Sequence, residues 1–215
     1  MAAAVWWPAA RRPGTTVARG GGAALRFSLL AWAVCGFFGV QSMAFYASLS
    51  WIPSILEDGG WSSEAAGALL AFGALCGLVP AFLIPVLAAR SDGQTHLLLA
   101  IVLVPAAGLT GVLALPDLAP LWMVLVGFGQ SGALGLGLTL PIQRGGDAAT
   151  VASLTAMTLC VGYLLAAAGP WLLGAVHDAA GDWTAPLVVL IAITLAELVP
   201  GVIAARASTI ARVAS

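Results

Sequence analysis

The sequence has little charge and no lysine. Only 8% of its 215 residues are Asp, Glu, Lys or Arg, whereas 61% are hydrophobic. A water-facing globule of this length needs far more polar surface, so the composition excludes a chain built from soluble domains. Its three cysteines, Cys35, Cys76 and Cys160, all lie in apolar stretches and indicate neither a disulfide framework nor a metal site. We therefore expect a chain whose main partner is the lipid bilayer, with no cofactor and no nucleic-acid partner.

Charge is absent from five long windows of the sequence. They are residues 27–56, 65–89, 93–116, 118–143 and 148–177, and a sixth window, 183–205, contains one acid, Glu197. Each window exceeds the roughly 20 residues that a helix needs to cross a bilayer, and each is too long for a barrel strand of about 10 residues. The expected fold class is an all-α membrane protein with six transmembrane helices, at approximately 29–55, 65–89, 96–115, 119–141, 150–176 and 184–205. The flanks, 1–27 and 207–215, are expected to be a disordered cytoplasmic leader and a cytoplasmic tail.

The basic residues predict the orientation of the six spans. All eight are arginines, at positions 11, 12, 19, 26, 90, 144, 206 and 212. They fall in the N-terminal segment, the second-to-third loop, the fourth-to-fifth loop and the C-terminal tail, while the other three loops contain acids and no base. Because loops rich in arginine stay in the cytoplasm, we expect a multi-pass protein of the cytoplasmic (inner) membrane with both termini inside.

A short repeat links the first and fourth spans. The first contains "GVQSMAFYASLSWIP" and the fourth contains "FGQSGALGLGLTLP", so a Gln-Ser pair precedes a proline in both. Two antiparallel copies predict an inverted repeat of three helices each, with Gln41 and Gln130 near the middle of the membrane. Because a mid-membrane amide needs a hydrogen-bond partner, each faces either a solute path or a neighbouring helix that it ties in place. The solute-path candidates are Gln41, Ser42, Tyr46, Gln130 and Ser131.

The same stretch also matches an enzyme pattern. Gly129 to Gly132 reads G-x-S-G, the pattern that carries the nucleophile in intramembrane serine proteases of the rhomboid type. A serine nucleophile needs a base, which in that pattern is a histidine on the sixth helix. The sixth window has none, because His96 and His177 lie at the ends of the third and fifth spans. We therefore expect no catalytic residue and no enzyme activity.

Long stretches of the sequence resemble the C-terminal half of a major facilitator superfamily permease. The resemblance covers about residues 28–206, includes "GVQSMAFYASLSWIP", "GFGQSGALGLGLTLP" and "AAAGPWLLG", and is strongest to the branch of cyanate and 2-nitroimidazole transporters. It implies a twelve-helix fold in which this chain supplies helices seven to twelve. The segment "LAARSDGQ", with Arg90 and Asp92, stands where the superfamily has a cytoplasmic loop motif, but Ala89 replaces the usual acid. The implied partner is a second six-helix half, in the same or a separate chain.

The resemblance and the residues together predict a function. We expect a secondary transporter, or a truncated half of one, that moves a small polar or weakly charged solute, such as a cyanate-like or nitroimidazole-like compound, by alternating access. Glu197 is the ionisable residue within a span and is the candidate for ion coupling, although a packed, neutral glutamic acid fits its position as well. The alternative is a non-transporting fragment or a packing subunit of another permease.

Overall fold

The computed structural model describes residue 25, residues 28–91, residues 93–206 and residue 210. The rest of the predicted leader and tail, and Asp92, lie outside the described residues. Most of the arginines that predict the orientation lie outside them too.

Six helices are long and apolar enough to cross a membrane, which confirms the predicted fold class. They are the first span Leu29–Asp58, the second Ser63–Ala89, the third Thr95–Ala114, the fourth Pro116–Arg144, the fifth Ala148–Ala180 and the sixth Thr184–Ala204. The fourth span begins with a short 3-10 turn, Pro116–Leu118, and continues as an α-helix to Arg144.

Local capping residues set several helix ends. The Ser28 hydroxyl accepts a hydrogen bond from the N–H of Ala31 at 3.3 Å and caps the first span. The Asp147 carboxylate accepts the N–H of Thr150 at 3.0 Å and caps the fifth. Such side chains satisfy N–H groups that the first turn of a helix leaves unpaired. The fifth span stops at Gly181, whose φ of 76° is the left-handed conformation that ends many helices.

Prolines break the second and sixth spans into two helices each. The segments are Ser63–Cys76, Leu78–Ala89, Thr184–Ala196 and Leu198–Ala204. The first helix of each pair ends four residues before a proline, Pro80 or Pro200. Proline has no N–H to donate to the carbonyl four residues earlier, and its ring crowds that carbonyl, so the α-helical ladder is interrupted there. Gly77 and Glu197 occupy the two breaks.

Four spans form a layer, and the other two lie behind it. The first span packs along the fifth and the fourth, and the fourth packs in turn along the second. The third span packs against the fourth, the sixth packs against the first, and the third and sixth contact each other. The third and sixth spans therefore cover one side of the layer. The other side has no helix over it among the described residues, and we call it the open face; its exposed side chains include Tyr46, Leu49, Leu138 and Ile142.

Glycines let the fourth span approach its neighbours closely. A Cβ atom on Gly135 would lie 2.7 Å from the carbonyl oxygen of Ala81 in the second span. A Cβ atom on Gly132 would lie 2.9 Å from the side chain of Ile101 in the third. Small residues of this kind are what membrane helices use to bring backbones together. The glycine-rich fourth span is therefore a packing surface along much of its length.

The contacts between spans agree with a repeat of three helices. In such a repeat the first span corresponds to the fourth, the second to the fifth and the third to the sixth. The contact of the first span with the fifth then corresponds to the contact of the fourth with the second, and both contacts are present. Glycines lie at positions that agree to within one residue in the two contacts: Gly39 lies against Gly162, and Gly127 lies against Gly73. Gly73 and Gly162 are separated by 89 residues, the same offset that separates Gln41 from Gln130.

Candidate functional site

The two glutamines of the repeat meet where the first and fourth spans touch. Gln41 donates from Nε2 to the main-chain carbonyl of Gln130 at 3.3 Å, and Gln130 donates from Nε2 to the Ser48 hydroxyl oxygen at 2.7 Å. The Ser48 hydroxyl donates to the carbonyl of Ala44 at 2.8 Å, and the Ser42 hydroxyl donates to Oε1 of Gln41 at 3.2 Å. Each amide therefore has a partner on the opposite span.

This network is buried inside the helix contact. Gln41 is 1% exposed and Gln130 is 7% exposed. Ser131 is half-buried against the second span, where a Cβ atom on Gly77 would collide with its hydroxyl. The sequence leaves two roles open for the amides: a hydrogen bond between helices, or contact with a solute. The structure contains the hydrogen bonds between helices, and contact with a solute remains a prediction.

Tyr46 lies apart from the amide network, on the open face. It is 38% exposed, and with Tyr163 of the fifth span it lines a cavity of about 250 Å³. The remaining lining consists of Ala166, Ala167 and Pro170, so the cavity follows the groove between the first and fifth spans. Tyr163 cannot be singled out from the sequence, because it belongs to no polar pair and only the packing of the two spans brings it near Tyr46.

A buried cluster joins three spans at the end of the bundle where the fourth span stops. Arg144 is 5% exposed, and it donates from Nε to the Ala204 carbonyl at 2.9 Å and from Nη2 to Oε1 of Gln94. Gln94 in turn donates from Nε2 to the Ala88 carbonyl at 3.1 Å and from its main-chain N–H to the Ala205 carbonyl at 3.2 Å. The ends of the second and sixth spans thus receive donors for carbonyls that a helix leaves unpaired.

The charge of Arg144 also suits this position. The carbonyls at the C-terminal end of a helix carry partial negative charge, which favours a cation beside them. The sequence predicted Arg144 as a loop charge that sets the orientation, and nothing in its local pattern showed that it would be buried. Arg90, from the predicted loop motif, is exposed at the end of the second span, and its motif partner Asp92 lies outside the described residues.

Glu197 is buried at the break in the sixth span. It is 2% exposed, and its Oε2 atom has no hydrogen-bond partner in the described part of the chain. It lies on the same helical stripe as the buried residues Leu190, Thr194 and Gly201, and this span packs against the first and third. The carboxyl group therefore belongs to the inner side of the bundle.

Curated relatives of the chain are transport proteins. It is 37% identical over 179 residues to the 2-nitroimidazole transporter of Escherichia coli (strain K12), a match that covers 83% of the chain and 46% of the relative. It is 40% identical over 167 residues to the uncharacterized transporter YycB of Bacillus subtilis (strain 168), covering 77% of the chain and 42% of the relative. It is 30% identical over 158 residues to the cyanate transport protein CynX of Escherichia coli (strain K12), covering 73% and 41%.

No protein-family model matches the chain. The matched relatives are nevertheless transporters and not enzymes, in agreement with the sequence-based prediction. The chain spans less than half the length of these three relatives. The chain is therefore a multi-pass membrane protein homologous, over somewhat less than half of their length, to transporters of the major facilitator superfamily.

Proposed function

We propose that this chain is one six-helix half of a secondary transporter that moves a small polar or weakly charged solute by alternating access. Cyanate-like and nitroimidazole-like compounds are the proposed solutes, because relatives that share 30% and 37% identity are described as transporters of such compounds. The first five spans contain no charged residue away from their ends, so this half offers no fixed charge for strong capture of an anion.

The observation that carries the proposal is the open face. The third and sixth spans cover one side of the layer. The other side exposes the first and fourth spans, which lie at the centre of the layer. Secondary transporters bind their solute between two such halves, on helices that correspond through the internal repeat. In this proposal the open face meets a second six-helix half, in the same or a separate chain, and the solute path runs between them.

The proposed orientation follows the arginines. The ends of the bundle that contain Arg90, Arg144 and Arg206 face the cytoplasm, and so do both termini. The proposed location is the inner membrane of a bacterial cell.

The path residues fall into two groups. Tyr46 reaches the open face and is proposed to contact the solute directly. Gln41, Ser42 and Gln130 are proposed to hold the first and fourth spans in register behind it, and Ser131 does the same toward the second span. A shift of the first span relative to the fourth would break or re-form the hydrogen bonds of these amide side chains. The network would therefore change during a transport movement of the two spans.

Glu197 is the proposed coupling residue. A buried acid inside a membrane protein is a candidate to carry a proton, and the Oε2 atom of Glu197 has no hydrogen-bond partner among the described residues. Three spans pack against the sixth. Their titratable side chains are Cys35, Tyr46, Glu57 and Asp58 on the first, His96 on the third, and Cys160, Tyr163, His177 and Asp178 on the fifth. The acids and histidines among them stand at span ends, which leaves Glu197 as the carboxyl group placed to exchange a proton within the bundle. The E197Q variant is expected to retain exchange of solute for solute while losing uptake driven by a proton gradient.

Solute counterflow in liposomes tests the transport proposal. The full chain is reconstituted, the liposomes are loaded with unlabelled cyanate or 2-nitroimidazole, and uptake of the labelled compound is compared with that of protein-free liposomes. Leu138→Trp on the open face is expected to impede uptake. Leu103→Trp is the control, because Leu103 is similarly exposed but lies on the outward side of the third span. Absence of counterflow by correctly inserted protein contradicts transport by copies of this chain alone; absence that persists when a second six-helix half is reconstituted with it contradicts transport and favours a packing subunit.

A further inference from the structure

We propose that the cavity lined by Tyr46 and Tyr163 is a solute subsite that takes a flat, uncharged, single-ring compound. The inference rests on the proposed transport function and names the class of solute and the residues that contact it.

Other aromatic rings hold the two tyrosine rings at fixed angles. The centroids of Tyr46 and Tyr163 are 6.4 Å apart, and their planes meet at 63°. The edge-to-face contact of Tyr163 with Phe38 has a centroid separation of 5.6 Å, and that of Tyr46 with Phe45 has one of 5.4 Å. Such contacts favour the ring orientations that they fix. The half-exposed tyrosines therefore form two preset walls on the open face.

The floor of the cavity is the part of the fifth span around Pro170. Pro170 cannot donate to the carbonyl of Ala166, so the backbone there lacks one bond of the helical ladder. The indole N–H of Trp51 donates to the Pro170 carbonyl at 2.7 Å and joins this part of the fifth span to the first span. Ala166 and Ala167 contribute only methyl groups, which leaves room between the tyrosine rings and the backbone.

The size and lining of the cavity define the solute. The part of the cavity that this half contributes has a volume of about 250 Å³. That is below the roughly 300–1,000 Å³ of pockets for drug-sized ligands and is enough for a single ring with a small substituent. None of its lining residues is charged, so nothing there offsets the desolvation of an ion. Aromatic walls favour a flat ring through stacked or edge contacts. A flat, uncharged ring meets all these conditions.

Equilibrium binding to the full chain in lipid nanodiscs tests the subsite. The probe is labelled 2-nitroimidazole, with empty nanodiscs to subtract partition into lipid. Tyr46→Leu and Tyr163→Leu are each expected to weaken binding about tenfold through loss of one wall. Tyr163→Phe keeps the ring and is expected to bind within about threefold of the parent protein. Leu164→Ala is the matched control, because Leu164 is the next residue, is 72% exposed and does not line the cavity.

Competition distinguishes a flat ring from a puckered one. Unlabelled pyrazole, a flat neutral ring, is expected to displace the probe, and cyclopentanol, a saturated ring of similar size, is expected to displace it at least tenfold less well. Equal competition by both compounds, undiminished binding by both leucine variants, or no binding by the parent protein overturns the subsite.

Counterflow in the same variants separates this inference from the transport proposal. Uptake of 2-nitroimidazole with an unchanged concentration dependence in both leucine variants overturns the subsite and leaves transport in place. Tyrosine-dependent binding without uptake supports the subsite and contradicts transport.

Discussion

Gly73→Ala perturbs the contact between the second and fourth spans at a point where two backbones meet. A Cβ atom on Gly73 would lie 2.7 Å from the main-chain carbonyl oxygen of Met123. An ordinary contact begins near 3.4 Å, so the two spans must separate locally by about 0.7 Å to admit the methyl group. The obstructing atom belongs to a helix backbone and cannot turn aside as a side chain would.

Two opposing terms set the size of the effect. Alanine is favoured over glycine in a helix by up to about 1 kcal/mol. Inserting a methyl group into a packed interior costs about 1–3 kcal/mol. Gly67 is the matched control, because it lies in the same span and a Cβ atom there would meet no atom within 4 Å. Gly67→Ala therefore gains the helix propensity of alanine without a packing penalty. We expect Gly73→Ala to be about 1–3 kcal/mol less stable than Gly67→Ala.

The assay is reversible unfolding in mixed detergent micelles, followed by circular dichroism. The difference in unfolding free energy between the two alanine variants isolates packing from helix propensity. A Gly73→Ala protein as stable as Gly67→Ala, or more stable, would refute the close approach of the second and fourth spans.

Two further substitutions test the polar contacts in the same unfolding assay. Gln130→Leu removes the 2.7 Å hydrogen bond to Ser48. It is expected to lower the unfolding free energy by under about 2 kcal/mol, the usual range for a hydrogen bond between membrane helices. A loss well above that shows that the amide does more than join two spans. Arg144→Met removes the donors to the Ala204 carbonyl and to Gln94 and is expected to cost about 2–3 kcal/mol, because charge-assisted hydrogen bonds are lost and a buried acceptor is left unpaired. An unchanged unfolding free energy in Arg144→Met contradicts a stabilising role for the buried cluster around Arg144.

The sequence predicted the number of spans because hydrocarbon thickness acts on every window in the same way. A helix must carry about 20 apolar residues to cross, and charge can stand only at the ends, so charge-free windows predict spans without any knowledge of packing. The breaks at Gly77 and Glu197 precede Pro80 and Pro200, but Pro53, Pro105, Pro141 and Pro170 lie inside unbroken helices. A proline alone therefore does not predict where a span is interrupted.

The contacts within the site depend on how each span is rotated and which span it meets. The sequence predicted a partner or a cavity for Gln41 and Gln130, but only the packing shows that they bond across the first and fourth spans. Arg144 was predicted in a loop, and it is buried because the end of the sixth span lies beside it. Tyr163 gains its place from the groove between the first and fifth spans, which no local pattern encodes.

The central claim is that the open face lines an aqueous solute path, and cysteine accessibility tests it most directly. Leu138 is 46% exposed on the open face, and Leu103 is 48% exposed on the outward side of the third span. By helix rise they lie about 9 and 12 Å from the Arg144 end of the bundle, so their depths are similar. Leu138→Cys and Leu103→Cys are made with the three native cysteines replaced by alanine, and a charged, water-soluble thiol reagent is added to membranes opened on both sides. The account predicts rapid labelling of Leu138→Cys and little labelling of Leu103→Cys. Equal rates at the two positions, or no reaction at position 138, would contradict it.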